Sequence, residues 1–399
     1  MEELLKFAPR PTGAGEMFQL LRDGQPRTRA DLAAITGQAR STIAARLDLL
    51  VSAGLIGPAG EANSTGGRPP ATFAFRPNAK IVLAVEVGVA YAHVAVTDLA
   101  ATILAETEEP LAITDGPQIV LSLIAESAKK LIALAGRSLD ELASVGVGLP
   151  GPVDYLTGRP ISPPIMAAWD DADVPGILQR LLGPPVLVDK DVNLMALGEH
   201  RRAWPDTADM IFVNVANNIG SGIISDGELR RGAQGAAGDI GHIPVPNAAG
   251  LLCRCGNVGC LEAIASGNAI AASLQARGLD TADIGDVVAL VRSGDVAASQ
   301  AVRQAGREIG TVVASCVSIL NPALIVIGGV VATASEHLIA GIRESVYQSS
   351  LPRATEHLRI ATSRNTSQVG ILGASVMAAE HVLSPRAIDA LIPMPADGR

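Results

Sequence analysis

One histidine and three closely spaced cysteines are the side chains with the clearest chemistry in this sequence of 399 residues. Thiolate sulfur and imidazole nitrogen are the ligands that tetrahedral Zn²⁺ prefers, and three cysteines with one histidine leave no position for a reactive water. Glycines between the cysteines allow the tight turns that direct three thiolates to one point. The sequence therefore predicts a structural zinc site formed by His242, Cys253, Cys255 and Cys260.

Two other interpretations of these cysteines stay open: reduced thiols in the core beside a surface histidine, or a disulfide. No apolar run follows the initial methionine, so we expect no secretion signal and a cytoplasmic protein whose thiols are reduced. Residues 309–335 contain no charged residue, but Asn321-Pro322 interrupts them. They are expected to form a buried helix and a central strand, not a membrane span.

The charge of the chain is unevenly distributed. The formal net charge is −9, which argues against a protein covered with nucleic acid. Residues 1–80, however, contain 10 Lys and Arg against 7 Asp and Glu. A mildly basic N-terminal segment on an acidic body suggests an anionic partner for that segment only.

This segment has the pattern of a helix-turn-helix. Thr28 to Asp31 resembles a capping box, Gly37 provides a turn, and a second helix follows with apolar residues on one side. The opposite side begins with polar groups at the end of the helix that meets base edges. The candidate DNA contacts on that helix are Arg40, Ser41, Thr42 and Arg46.

A wing is expected to follow the second helix. Phe73 and Phe75 alternate as in a strand, and Arg68 lies between glycines and a proline near the predicted tip. An arginine in that position can enter a narrow minor groove, whose negative potential attracts it. We predict that residues 1–78 form a winged helix-turn-helix that binds DNA; a winged helix that contacts proteins is the alternative.

The remaining sequence resembles the ROK family of sugar kinases and sugar-responsive repressors. The resemblance is carried by Val145–Asp154, Val188–His200, Val213–Val245 and Asn321–Ala332, together with the cysteine cluster. It implies an α/β fold of the actin-like (ribonuclease H-like) type, with a sugar and nucleotide cleft between two lobes. The expected lobes are residues 79–192, to which residues 376–399 return, and residues 193–375, which include the zinc site.

The two phosphate-binding elements of the family's kinases are altered. Kinases resemble Asp-x-Gly-Gly-Thr on the first strand, whereas this chain has Glu86-Val-Gly88-Val-Ala90. The second loop, Gly-Thr-Gly-x-Gly-x-Gly in kinases, begins Ala216-Asn217-Asn218. Losing glycines removes positions at which backbone N–H groups approach phosphate closely. We therefore predict that the protein is not an enzyme; a sugar kinase with unusual loops is the alternative.

The sugar side of the cleft is better preserved. Asp191, the counterpart of the kinase base, and Asn193 match the family's Asp-x-Asn. Lys190 replaces a sugar-contacting asparagine, and it is expected to be either an exposed salt-bridging lysine or a group that recruits an acidic or phosphorylated sugar. Asp191 could alternatively act only as a helix cap. The resemblance implies a ligand site formed by Asp191, Asn193, Asp239, His242 and Glu262.

These features together predict a DNA-binding transcriptional regulator of sugar metabolism, and a repressor in particular. Its expected partners are an operator in double-stranded DNA and a sugar or sugar-phosphate effector bound in the cleft. The symmetry of helix-turn-helix operators and the resemblance favour a homodimer or homotetramer.

Overall fold

The computed structural model describes residues 13–61, 70–162, 165–334, 336–364 and 368–391. In this part of the chain, an N-terminal segment of helices and short strands precedes two five-stranded sheets with helices packed on them. Each sheet buries its apolar face against its helices, which is the usual construction of α/β lobes.

The N-terminal segment contains three helices and three strands: α1 (Ala14–Gln19), β1 (Arg27–Thr28), α2 (Arg29–Thr36), α3 (Arg40–Ser52), β2 (Ile56–Glu61) and β3 (Ala71–Phe75). The strands are antiparallel in the order β1-β3-β2, as in a winged helix-turn-helix. The predicted capping box is present, since the Thr28 side chain accepts a hydrogen bond from the Asp31 N–H. Gly37 ends α2 in the left-handed conformation, with φ of 67°.

The first large sheet comes from the segment that follows: β4 (Ile81–Val87), β5 (Tyr91–Asp98), β6 (Ile103–Pro110), α4 (Pro117–Leu134), β7 (Leu142–Leu149), β8 (Val153–Asp154), β9 (Arg159–Pro160), α5 (Val174–Leu182) and β10 (Val186–Lys190). The strand order is β10-β7-β4-β5-β6, while β8 and β9 pair separately. The chain thus runs through three strands, a helix and a further strand in succession, in agreement with the expected α/β fold. Every residue of β4 is buried, as expected at the centre of a covered sheet.

The second large sheet and the helices around it come from the next part of the chain. Its elements are α6 (Asp191–Ala203), β11 (Met210–Val215), β12 (Ile219–Ser225), β13 (Glu228–Arg230), α7 (Glu262–Ala265), α8 (Gly267–Gln275), α9 (Ile284–Arg292), α10 (Val296–Leu320), β14 (Leu324–Gly328), α11 (Val330–Ala334), α12 (Glu336–Ser349), α13 (Pro352–Thr355) and β15 (Arg359–Thr362). Its order is β13-β12-β11-β14-β15. The uncharged stretch becomes the end of α10, a left-handed Asn321 and the fully buried β14, as predicted. None of the described helices is long and apolar enough to cross a membrane.

Two C-terminal helices, α14 (Val369–Leu383) and α15 (Pro385–Leu391), connect the parts of the molecule. Helix α14 packs against β4 and β7 of the first sheet and along α6, while α15 packs against α1. The contact between α6 and α14 is close because both helices have glycines there: a Cβ on Gly373 would lie 1.8 Å from the Leu194 carbonyl oxygen. The chain therefore returns to the first sheet before it reaches the N-terminal segment.

Candidate ligand and metal site

The loop between β13 and α7 gathers the four residues of the predicted zinc site. Isolated β-bridges join Pro244 to Cys260 and Leu252 to Val258, and they fold the loop back on itself. Gly256 and Gly259 take φ values of 90° and 88°, which a residue with a side chain adopts only with strain. The loop thus brings together residues that are up to 18 positions apart in the sequence.

The geometry of this cluster suits a tetrahedral metal ion. The four ligand atoms of His242, Cys253, Cys255 and Cys260 all lie within 4.8 Å of one another. His242 Nδ1 is 3.7 Å from Cys253 Sγ, and the sulfurs of Cys255 and Cys260 are 3.8 Å apart. With metal–sulfur bonds of about 2.3 Å, the edges of a tetrahedron are about 3.8 Å long. The cluster can therefore hold a metal ion, and its sulfur-rich donor set fits a soft or borderline cation.

A cavity of about 370 Å³, here called the near cavity, lies beside this cluster and between the two large sheets. Lys190, at the end of β10, and Asp191, the first residue of α6, reach it from one side. Asp239, His242 and Glu262 line it from the other. The fold thus brings together four of the five predicted ligand residues. Because His242 borders both the metal cluster and the cavity, an imidazole that binds metal through Nδ1 can present its Nε2–H to a ligand.

Lys190 differs from the expected exposed lysine. Its residue is only 8% exposed, and its ammonium group forms an ion pair with Asp239 across the near cavity. Lys190, which replaces the family's asparagine, therefore links the two sides of the cleft, and its positive charge compensates the negative charge of Asp239. The partner of this lysine could not be found from the sequence, since 49 positions separate it from Asp239.

Glu262 is oriented by backbone and amide donors. The Ile219 N–H donates a hydrogen bond of 2.7 Å to Glu262 Oε2. With the Asn218 amide placed as a donor, its nitrogen lies 2.9 Å from Glu262 Oε1. Burial raises the pKa of Glu262, and the Ile219 N–H, Arg254 and Lys190 oppose this shift. One carboxylate is therefore held in a fixed orientation at the start of α7, directly after the cysteine loop.

Asp191 lies at the first position of α6 and contacts its own helix. Its Oδ1 accepts a hydrogen bond of 2.7 Å from the adjacent Val192 N–H, but the N-cap position of α6 is Lys190, and no side chain caps the helix there. Asp191 also lines the near cavity, where a ligand can reach it. Burial raises the pKa of Asp191 to about 6; Lys190 and the Val192 N–H lower it, whereas Asp239 and Asp189 raise it.

Asn193 is not placed as a ligand residue. It is fully buried, does not line the near cavity, and its amide donates a 2.8 Å hydrogen bond to Asp189 Oδ1. The other oxygen of Asp189 accepts a 2.7 Å hydrogen bond from Arg231, whose guanidinium lies over the Tyr155 ring. Asn193 therefore supports the junction of β10 and α6. The sequence does not predict the roles of Asp189 and Arg231, although the run Asp189-Lys190-Asp191 indicates a charged junction.

A second cavity, of about 430 Å³ and here called the far cavity, lies where the altered phosphate elements meet. The Tyr91 hydroxyl donates a 3.0 Å hydrogen bond to Glu86 Oε1, and the Tyr91 ring packs against Gly88. Burial raises the pKa of Glu86 to about 7, against the effect of the Tyr91 hydrogen bond. None of the described residues that line this cavity is a lysine, arginine or histidine.

The candidate DNA-binding residues of α3 lie mostly at the surface. Arg40 and Ser41 are exposed, while Thr42 and Arg46 are half-buried. Arg46 donates a 2.6 Å hydrogen bond to Gln38, which precedes the helix. Ala39, at the N-cap position of α3, provides no side-chain cap. Arg68 lies outside the described residues.

The N-terminal segment is attached to α14 by an ion-pair network. Glu380 accepts two hydrogen bonds from Arg22, of 2.8 and 2.7 Å, and it also pairs with Arg201 of α6. Burial alone would raise the pKa of Glu380, but Arg22 and Arg201 lower it. The Gln19 amide donates a 2.8 Å hydrogen bond to the Leu383 carbonyl. The segment is therefore fixed to the body by direct contacts as well as by the chain that links them.

Comparison with known proteins agrees with this architecture. The ROK family model matches residues 82–381, so the chain belongs to the ROK family. A xylose repressor from Caldicellulosiruptor bescii is 25% identical over 92% of this chain and 95% of the repressor. A glucokinase from Halalkalibacterium halodurans is 31% identical over 72% of this chain and 92% of the kinase.

A crystal structure of a ROK family transcriptional regulator, a homologue of the E. coli MLC protein, has a similar fold. Its TM-score is 0.81 at 25% identity, and the match covers 94% of this chain and 96% of that regulator. The predicted actin-like α/β fold with an N-terminal winged helix-turn-helix is therefore confirmed.

Proposed function

We propose that this protein is a transcriptional regulator, and specifically a repressor, whose binding to an operator is controlled by a sugar. The observation that carries the proposal is the combination of a winged helix-turn-helix with a cleft that keeps the sugar-side carboxylates but has lost the phosphate elements. Asp191, Asp239 and Glu262 line the near cavity, whereas Tyr91 packs on Gly88 at the former phosphate position. The similarity to the xylose repressor supports this, since it covers 92% of the chain.

The effector that fits the near cavity best is an uncharged sugar. Three carboxylates face the cavity against two basic side chains, Arg254 and Lys190, and the ammonium of Lys190 is already paired with Asp239. Carboxylates can accept hydrogen bonds from adjacent hydroxyls in a bidentate manner. Asn193 is proposed to influence the ligand site only indirectly, through its hydrogen bond to Asp189. This arrangement favours a neutral polyhydroxyl ligand over the acidic or phosphorylated sugar that an unpaired Lys190 would recruit.

The metal cluster is proposed to hold one Zn²⁺ per chain in a structural role. Three thiolates and one imidazole leave no open coordination position for catalysis. The chain segment from Cys260 leads directly into α7, whose first residue is Glu262. A bound metal would therefore fix the loop that positions a sugar-binding carboxylate.

DNA binding is expected to depend on arginines of α3 and of the wing. Arg40→Ala and Arg68→Ala should each weaken binding by about 1–3 kcal/mol if the side chain reads a base or the groove, and by less if it contacts only phosphate. The measurement is a mobility-shift titration on inverted-repeat duplexes selected from a random pool by the wild-type protein. Arg353→Ala, at an exposed arginine of α13, is the matched control and should bind like wild type. If both substitutions leave affinity unchanged, the winged helix is a protein-contact module.

Sugar kinase activity is expected to be absent. The carboxylate of Glu86 is hydrogen-bonded to Tyr91, and Asn217 and Asn218 replace residues that would bring backbone N–H groups close to phosphate. The measurement is ADP release from MgATP with a panel of hexoses and pentoses. Turnover that a sugar stimulates and that Asp191→Ala abolishes would establish the kinase alternative. This alternative is worth testing because the chain is 31% identical to a glucokinase.

A further inference from the structure

The near and far cavities lie side by side and share part of their lining. Pro150, Asp191, Asn214 and Asn218 line both of them, so the two spaces are neighbours along the cleft. Asp191 lies at their junction. A ring bound to Asp191 in the near cavity therefore lies next to the far cavity, and a substituent on that ring can extend into it.

The surface of the far cavity suits an uncharged ring with hydroxyl groups. Glu86, Asn217 and Asn218 provide hydrogen-bonding groups, while Met195 and Phe212 contribute apolar surface. Binding sites for small molecules commonly combine an apolar lining with a few convergent polar groups. A sugar ring has the same two kinds of surface, C–H faces and a hydroxyl edge.

The same surface is unfavourable for a phosphate. Phosphates in proteins are held by arginine, lysine, backbone N–H groups or metal ions. The described lining of the far cavity contains no basic side chain, and the carboxylates of Glu86 and Asp191 both face it. An anionic group placed there would meet negative charge without a compensating cation.

We propose that the effector is a disaccharide, with one ring in the near cavity and the second ring in the far cavity. The proposal rests on the proposed function, because it takes the near cavity to be a sugar site. The far cavity, where the phosphate elements of the kinases have been altered, would then bind the second sugar ring in place of phosphates.

The test is calorimetric titration of the full-length protein with glucose and xylose and with cellobiose, maltose and xylobiose. At least one disaccharide should bind about tenfold or more tightly than its component monosaccharide. Val89→Trp places a large side chain at a half-exposed position that lines only the far cavity. It should remove the advantage of the disaccharide and leave monosaccharide binding unchanged.

Two further variants make the result specific. Asn217→Ala, which shortens an exposed side chain of the far cavity, should reduce the disaccharide advantage without adding bulk. Val296→Trp, at an exposed residue that begins α10 outside both cavities, should behave like wild type. Monosaccharides that bind as tightly as every disaccharide would overturn the inference but leave the proposed function intact. MgADP that binds and competes with the disaccharide would also overturn it. If no sugar binds, the proposed function itself fails.

Discussion

Cys260→Ser protein is expected to purify with little zinc and to lose most of its affinity for sugars. Cys260 is 1% exposed, and its sulfur lies 3.8 Å from that of Cys255, so a serine hydroxyl would remove a central ligand of the cluster. Without the metal, the loop before α7 keeps its backbone bridges but loses the metal–ligand bonds that join its turns to His242. Glu262, two residues later, would then no longer be fixed against the Ile219 N–H.

The size of the expected loss of sugar affinity depends on how much of the molecule the metal organises. Structural Zn²⁺ contributes about 10–16 kcal/mol of apparent binding energy in small zinc-finger peptides, where it drives the entire folding reaction. Here the two large sheets have cores of their own, so we expect the body to stay folded. Sugar affinity should fall at least about tenfold, which corresponds to about 1.4 kcal/mol.

The measurements are metal content per chain and calorimetric titration with the effector sugar. Cys316→Ser is the matched control, because Cys316 lies on α10 outside the cluster and should leave both quantities unchanged. Wild-type protein that has lost its metal to a chelator should resemble Cys260→Ser. A chelated, metal-free protein with a full sugar response would contradict the proposed role of the metal.

Glu380→Gln is expected to separate sugar binding from operator release. Helix α6 begins at the near cavity with Asp191 and lies along α14, so a shift of α6 on ligand binding would move α14 with it. Glu380 on α14 pairs both with Arg201 of α6 and with Arg22 of the N-terminal segment. The two ion pairs therefore connect α6 and α14 to the N-terminal segment. A second connection is the short chain link of residues 76–79 between β3 and β4, through which we also expect coupling.

Coupling between an effector and DNA is typically worth about 1–3 kcal/mol, or a change in affinity of about 5–150-fold. Glu380→Gln removes the charge but keeps the shape of the side chain. We expect it to bind operator and sugar with near wild-type affinity, while the effect of sugar on operator affinity falls to about one third or less of its wild-type value on the free-energy scale. Operator titrations with and without saturating sugar measure this effect.

Glu356→Gln, which alters an exposed pair with Arg353 away from this network, is the control for loss of a surface charge. It should preserve the full effect of sugar, because exposed ion pairs contribute little. If Glu380→Gln also preserves it, the coupling runs through the linker or the packing of α14 alone. If sugar binds tightly to wild-type protein without changing operator affinity, the allosteric proposal fails.

Local features of this protein could be predicted from the sequence because their signals lie close together along the chain. The capping box of α2, the apolar side of α3, and the order of strands around α4 depend on residue types at short spacings. The metal cluster belongs to the same class, since all four of its residues occur in the one loop between β13 and α7. The residue types alone indicate that such a cluster can bind a metal, and the loop is short enough to bring the four side chains together.

The tertiary structure decided which residues act on a ligand and which act on one another. Asn193 and Asp191 are two positions apart on one helix, yet the first is turned into the interior toward Asp189 and the second faces the cleft. For Lys190 the sequence predicts either an exposed salt-bridging lysine or a group that recruits an acidic sugar, whereas packing buries it and pairs it with Asp239. Arg22 and Glu380 meet although 358 positions separate them. Such pairings depend on how whole elements pack, because burial and charge partners are set by residues far away in the chain.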